Sequence, residues 1–274
     1  MKYISTRNNY DKVSSAEAIR LGMVPTGGLF VPQKIPAFSI EEITDMKENS
    51  YQEISYQVLS KFLTDYSRNE LEDCIESAYN HENFSVETIA DIKELDQNSY
   101  ILELWHGPTA AFKDMALQLM PHLLIKAINK KESDREIVIL VATSGDTGKA
   151  ALEGFKDVDG VKIIVFYPDQ GVSKIQETQM VTTGGDNTEV VAVNGNFDDC
   201  QNAVKEVFGD EKFKEILNDG GYNFSSANSI NWGRLIPQII YYFAAYTYLL
   251  SNKKIDIAEK INITVPTGNF GNIL

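Results

Sequence analysis

From about residue 133 onward, short β-branched runs alternate with helical patterns, and few architectures accommodate that alternation. Glu136 to Ala142 reads as a buried strand, Gly148 to Phe155 as a helix, Val161 to Tyr167 as a strand and Ser173 to Val181 as a helix. Thr188 to Val193 and Phe197 to Phe208 continue the series. The expectation is an α/β fold around a mainly parallel sheet. In such sheets a ligand sits beyond the carboxyl ends of the strands, where loops meet helix starts. The first hundred residues differ: a Pro/Gly-rich segment, Met23 to Pro32, precedes charged, helix-compatible sequence from Ile40 to about Tyr79, which reads as a separate N-terminal unit.

With 274 residues and 43% hydrophobic content, the chain has enough apolar material for a substantial core, in two modest domains or one large one. A net charge of −14 argues against a nucleic-acid partner, because a phosphate backbone needs a basic surface. Cys74 and Cys200 lie far apart without metal or disulfide spacing, and His81, His106 and His122 are scattered, so no zinc site is expected and a reducing cytoplasm fits best. The N-terminus lacks an apolar signal core. The most apolar stretch, Ile239 to Leu250, is too short to span a bilayer and reads as a buried helix.

Chemistry concentrates in four polar segments. Residues 106 to 114, His-Gly-Pro-Thr-Ala-Ala-Phe-Lys-Asp, deliver Lys113 into an apolar run through Met115, Leu119 and Leu123. Burial disfavours an ammonium, and the neutral amine that results can attack a carbonyl to form a Schiff base. Pro121 should kink or restart the helix that follows. Thr143 to Gly148, Thr-Ser-Gly-Asp-Thr-Gly, follows a strand and leads into a helix; it is either a cap or a ligand loop, and it lacks the Walker A pattern. After a strand expected at Ile261 to Val265, Pro266 to Asn272 places two glycines around Asn269, which suits either a tight turn or a nest for a phosphate. Finally, Ser225 to Arg234 is rich in small polar groups. Ser229 or Asn231 could cap the apolar helix beyond, while the forked cation of Arg234 suits a phosphate ester.

Taken together, these segments resemble threonine synthase, a pyridoxal-phosphate family of fold type II. The resemblance also covers Tyr3 to Arg7 and Gly27 to Pro32, which match that family's N-terminal segment and separate it from dehydratases and cysteine synthases. It implies conversion of O-phospho-L-homoserine and water to L-threonine and phosphate. Lys113 would hold pyridoxal 5'-phosphate as a Schiff base and then act as the base at the α and β carbons. The cofactor phosphate would lie at Gly268, Asn269, Phe270, Gly271 and Asn272. Ser144, Asp146 and Thr147 would line the substrate or ring edge, and Asn228, Ser229, Asn231 and Arg234 would hold the substrate phosphate.

The same resemblance implies a three-layer parallel-sheet fold. Residues 1–85 would form the N-terminal subdomain, 114–254 the small α/β cofactor domain, and 86–113 with 255–274 part of a large domain. The family pattern continues well beyond Leu274, including the residue that meets the pyridine nitrogen, so the chain is expected to be an N-terminal portion with a site whose activity is in question. A related phospho-lyase and a non-catalytic binding or assembly protein remain as alternatives. Oligomeric state is not legible.

Overall fold

The computed structural model describes residues 1–131, 135–266 and 270–273. In chain order its elements are β1 (Tyr3–Ser5), α1 (Ser15–Leu21), β2 (Phe30–Pro32), α2 (Ile40–Asp45), α3 (Tyr51–Phe62), α4 (Arg68–Ala78), β3 (Asp91–Asp96) and β4 (Ser99–Glu103). There follow α5 (Asp114–Leu117), α6 (Met120–Asn129), β5 (Glu136–Ala142), α7 (Asp146–Phe155), β6 (Val161–Pro168), α8 (Lys174–Thr182), β7 (Thr188–Val193) and α9 (Phe197–Gly209). The last are α10 (Glu211–Asp219), β8 (Tyr222–Ser225), α11 (Trp232–Leu235) and α12 (Pro237–Ser251).

The alternation of the middle third becomes a parallel sheet in the order β7-β6-β5-β8. β5 is central and almost wholly buried, which is why its sequence is a continuous apolar run. Removing side chains such as Ile137, Ile139 and Val141 from water stabilises the sheet by about 1.5–3 kcal/mol each. The strand order places β6 and β7 on one side of β5 and β8 on the other. The crevice beyond the carboxyl ends of β5 and β8 is therefore a topological switch point, where α/β sheets bind ligands.

β1 and β2 form one small antiparallel pair, and β3 and β4 another. Four of the early helices open on serine, with Ser39, Ser50 and Ser67 each closing a reciprocal capping box. Helical propensity after Lys113 is interrupted as expected: α5 ends before Pro121, and α6 restarts with that proline in its first turn. The apolar stretch near Leu250 is the helix α12, and among the described residues no helix is long and apolar enough to cross a membrane.

One expectation needs correction. Ile261 to Val265 forms no strand; Asn262, Ile263 and Thr264 are exposed, and an extended segment without a hydrogen-bonded neighbour gains nothing to offset its backbone ordering. The larger of two clusters of buried apolar side chains runs from Tyr3 through Leu59 and Leu123 to Tyr241, and the smaller holds Val138, Leu140, Ala142, Cys200 and Val204.

Candidate active site

The lysine turn is built around the carboxylate of Asp114, which is completely buried. Its oxygens accept from the Thr109 backbone N–H (2.9 Å), the Thr109 hydroxyl (2.6 Å) and the Ala111 N–H (3.4 Å). Gly107 is required at the entry, because a Cβ there would stand 2.5 Å from the Asp114 Cβ. Ala110 takes a left-handed backbone (φ 53°), a strained conformation that persists because the Asp114 bonds hold both of its flanks. Upstream, His106 Nε2 meets Glu103 Oε2 at 2.8 Å and ties the start of the turn to β4.

This scaffold presents Lys113, whose side chain is 19% exposed, with Nζ 3.8 Å from Asp146 Oδ2 and 4.3 Å above the Phe112 ring. Burial lowers the pKa of the amine. The Asp146 carboxylate opposes that shift, while Arg234 and Lys149 reinforce it. The amine is expected to react with a carbonyl reagent at lower pH than surface lysines, and competitive reductive methylation with peptide mapping checks this. Because the folded pKa lies below its unfolded value of 10.5, the penalty for burying the ammonium is present at neutral pH and fades as pH rises toward that value. Lys113→Met should therefore raise thermal stability near neutrality, with the gain shrinking in alkali. A lysine free in solvent would show neither effect.

The loop after β5 begins α7 in an unusual way. Its N-cap is Gly145, at φ 133°, and the capping acceptor is the Thr143 hydroxyl, which receives Gly145 N–H (3.0 Å) and Gly148 N–H (2.9 Å). Neither Asp146 nor Thr147 caps the helix, so their side chains are released from that task; Ser144 is exposed and Thr147 half-buried. The carboxyl of Asp146 faces two lysines. Burial would raise its pKa, but a hydrogen bond from Gln176 and the charges of Lys113 and Lys149 outweigh it and hold the group low, hence ionised. Lys149, buried, donates to the Thr109 carbonyl at 3.0 Å and stands 3.4 Å from Asp146 Oδ1, joining α7 to the lysine turn.

On the other side of the switch point, the loop after β8 brings Asn228, Ser229, Asn231 and Arg234 together with α11. Asn231 is the N-cap of the short α11, whereas the apolar helix α12, which Ser229 or Asn231 was expected to cap, has Ile236 at its N-cap and no side-chain cap. Its amide also donates to Ile19 O (3.0 Å) and Ser226 O (2.9 Å), so all three bonds serve the backbone. Arg234 is 1% exposed; it donates to the Ala227 carbonyl at 3.1 Å, and its Nε has no partner among the described residues. Burial pushes its pKa down to about 10, against the favourable charge of Asp114. Asn228 Oδ1 is likewise buried without a partner among the described residues.

Of the expected phosphate loop, Gly268 and Asn269 lie outside the described residues, and the Phe270 side chain is not described. Gly271 packs on Ser229, where a Cβ would approach to 2.9 Å, and the Asn272 carbonyl accepts from the hydroxyls of Tyr242 and Tyr241. Gly271 and Asn272 therefore rest on the same β8 loop and on α12. Thr109, Asp114, Lys149, Gln176 and the two tyrosines were not picked out from sequence. For Asp114 the adjacency to Lys113 was a usable signal, and for Gln176 the Ser-x-x-Gln capping pattern was; nothing local marks Lys149 or Tyr242.

An amine whose pKa is lowered by burial, beside an ionised carboxylate and glycine-bearing loops at the carboxyl ends of a parallel sheet, has the chemistry that enzymes acting through a carbonyl cofactor require. Comparison with known proteins agrees. Residues 84–274 match the model for pyridoxal-phosphate dependent enzymes, and residues 2–79 match the model for the threonine synthase N terminus. The chain thus belongs to the pyridoxal-phosphate-dependent enzyme family, and it corresponds to the N-terminal portion of threonine synthases.

It is 39% identical to threonine synthase of Pseudomonas aeruginosa over 100% of this chain and 55% of that protein. It is 41% identical to human threonine synthase-like 1 over 99% of this chain and 38% of that protein. The crystal structure of pyridoxal-phosphate-bound threonine synthase from Brucella melitensis superposes with a TM-score of 0.87 at 37% identity, covering 100% of this chain and 56% of that one. The chain spans about half the length of the threonine synthases it matches, and less of the threonine synthase-like proteins.

Proposed function

We propose that this chain supplies the lysine and the substrate loops of a threonine synthase, acting on O-phospho-L-homoserine with pyridoxal 5'-phosphate. The observation that carries the reading is the Lys113 amine, its charge disfavoured by burial, held 3.8 Å from Asp146 at the mouth of the switch point.

The residues present fit the cofactor. Besides the amine, Asn228 Oδ1 on the loop after β8 and Arg234 Nε on α11 are buried polar atoms without partners among the described residues, and Gly271 is seated against Ser229 of that loop. Once bound, the cofactor's ring supplies the electron-withdrawing power that makes hydrogens on the substrate's Cα and Cβ labile. Lys113 Nζ would hold the group and, when free, move protons between those carbons. Asp146 stays ionised and faces Nζ, favouring its protonated form when it has accepted a proton. Thr147 and Ser144 line the edge of the same loop. Arg234, Asn228 and Ser229 would meet the substrate phosphate, with the guanidinium giving up little solvation because it is already buried. Asn231 holds the loop in shape through its bonds to backbone groups.

Two measurements test this. After incubation with pyridoxal phosphate and borohydride reduction, the tagged peptide should contain Lys113; tagging spread over surface lysines would overturn the assignment. Incubated with O-phosphohomoserine, the protein should release phosphate with threonine as the coupled product, at a rate at least about a hundredfold above Lys113→Ala, the usual scale for losing a proton-transferring group. A keto acid in place of threonine would indicate a related phospho-lyase, and equal rates would favour a protein that only binds.

A further inference from the structure

Gln176 sits three residues after Ser173 at the start of α8, thirty residues from the Thr143 loop, and its amide touches both. Its Oε1 accepts the Ser173 N–H at 3.1 Å, and its Nε2 donates to Asp146 Oδ1 at 2.7 Å. Lys149 approaches the same Oδ1 at 3.4 Å, so that oxygen is occupied while Oδ2 is the one turned to Lys113. Gly145 makes room for this arrangement: a Cβ there would run into the amide of Gln176.

Capping alone does not explain the residue. Among the described residues, the other complete capping boxes carry an acid at the third helical position, namely Glu42, Glu53, Glu70 and Asp199. An acid there also gains from the helix dipole. Among the described residues, the box at α8 is the one with an amide at that position, and this amide donates to the carboxylate of Asp146. An acid in its place would keep the cap and repel Asp146.

We infer that Gln176 is a positioning residue that fixes the Asp146 carboxylate against Lys113, a role that builds on the reading of Lys113 as the reactive amine. The charged groups facing Lys113 in this arrangement are Asp146, Lys149, Arg234 and Asp114.

The test follows the pH dependence of Lys113 labelling by a small amine reagent, read by mass spectrometry on the protein without cofactor. Gln176→Glu brings a second carboxylate to the pair and should raise the labelling midpoint of Lys113 by about half a pH unit or more. Gln176→Met, with similar bulk but no amide, releases Asp146 toward water and should lower the midpoint. Ser173→Ala removes the helix cap while leaving the amide; it should reduce the melting temperature and leave the midpoint where it was. If both Gln176 variants melt earlier yet label like the parent, or if Ser173→Ala shifts the midpoint as they do, Gln176 is only a cap and the inference fails. Borohydride trapping of the parent protein is read separately, so failure to tag Lys113 with an intact Gln176 effect would refute the cofactor reading alone.

Discussion

Asp114→Ala should destabilise the protein by about 3–5 kcal/mol, the cost of stripping partners from buried donors and of leaving a buried charge less compensated. Three donors, two of them backbone N–H groups, lose their acceptor in a place water cannot reach. The fully buried Arg234 also loses its favourable carboxylate. Urea unfolding monitored by tryptophan fluorescence measures the loss directly. Asp114→Asn keeps an acceptor of the same shape and should lose roughly half as much. A loss below about 1 kcal/mol for the alanine variant would mean that the turn is held by something other than this carboxylate.

Asn231→Ala should cost about 3–4 kcal/mol, since three buried hydrogen bonds disappear and three backbone groups are left without partners. The loss falls on a joint. Asn231 binds the last turn of α1 to the loop after β8, so the N-terminal segment and this loop should loosen together, which hydrogen exchange near Ile19 and Ser226 would report. Asn231→Asp is expected to be at least as harmful, because it directs a carboxylate at the Ile19 and Ser226 carbonyls. An aspartate variant as stable as the parent would show that the amide donors are not what holds the loop.

Both effects concern residues whose importance depends on partners distant in the chain or on a particular turn geometry. The middle of the fold was legible because its determinants are local and periodic. The unbroken apolar run of β5 marked a strand buried on both faces, and Pro121 marked the interruption between α5 and α6. The strand expected at Ile261 to Val265 failed because β-branched composition states only a preference; a strand also needs a neighbour to bond. Within the site, Lys113 and the glycine-bearing loops were visible as small-residue motifs around a single amine. The capping hydroxyl of Thr143, the salt link of Lys149 and the hold of Gln176 on Asp146 were not, since each depends on which loops converge.

By itself, the amino-acid sequence determined the alternation of strands and helices, the turn carrying Lys113 and the family to which the chain belongs, because hydrophobic period and backbone-specific residues act over a few positions. Only the tertiary structure decided that Asp146 faces Lys113, that Arg234 is buried and that Asn231 serves the backbone. Burial and charge proximity are properties of packed surfaces, and they set the protonation of an amine through neighbours that lie far away along the chain.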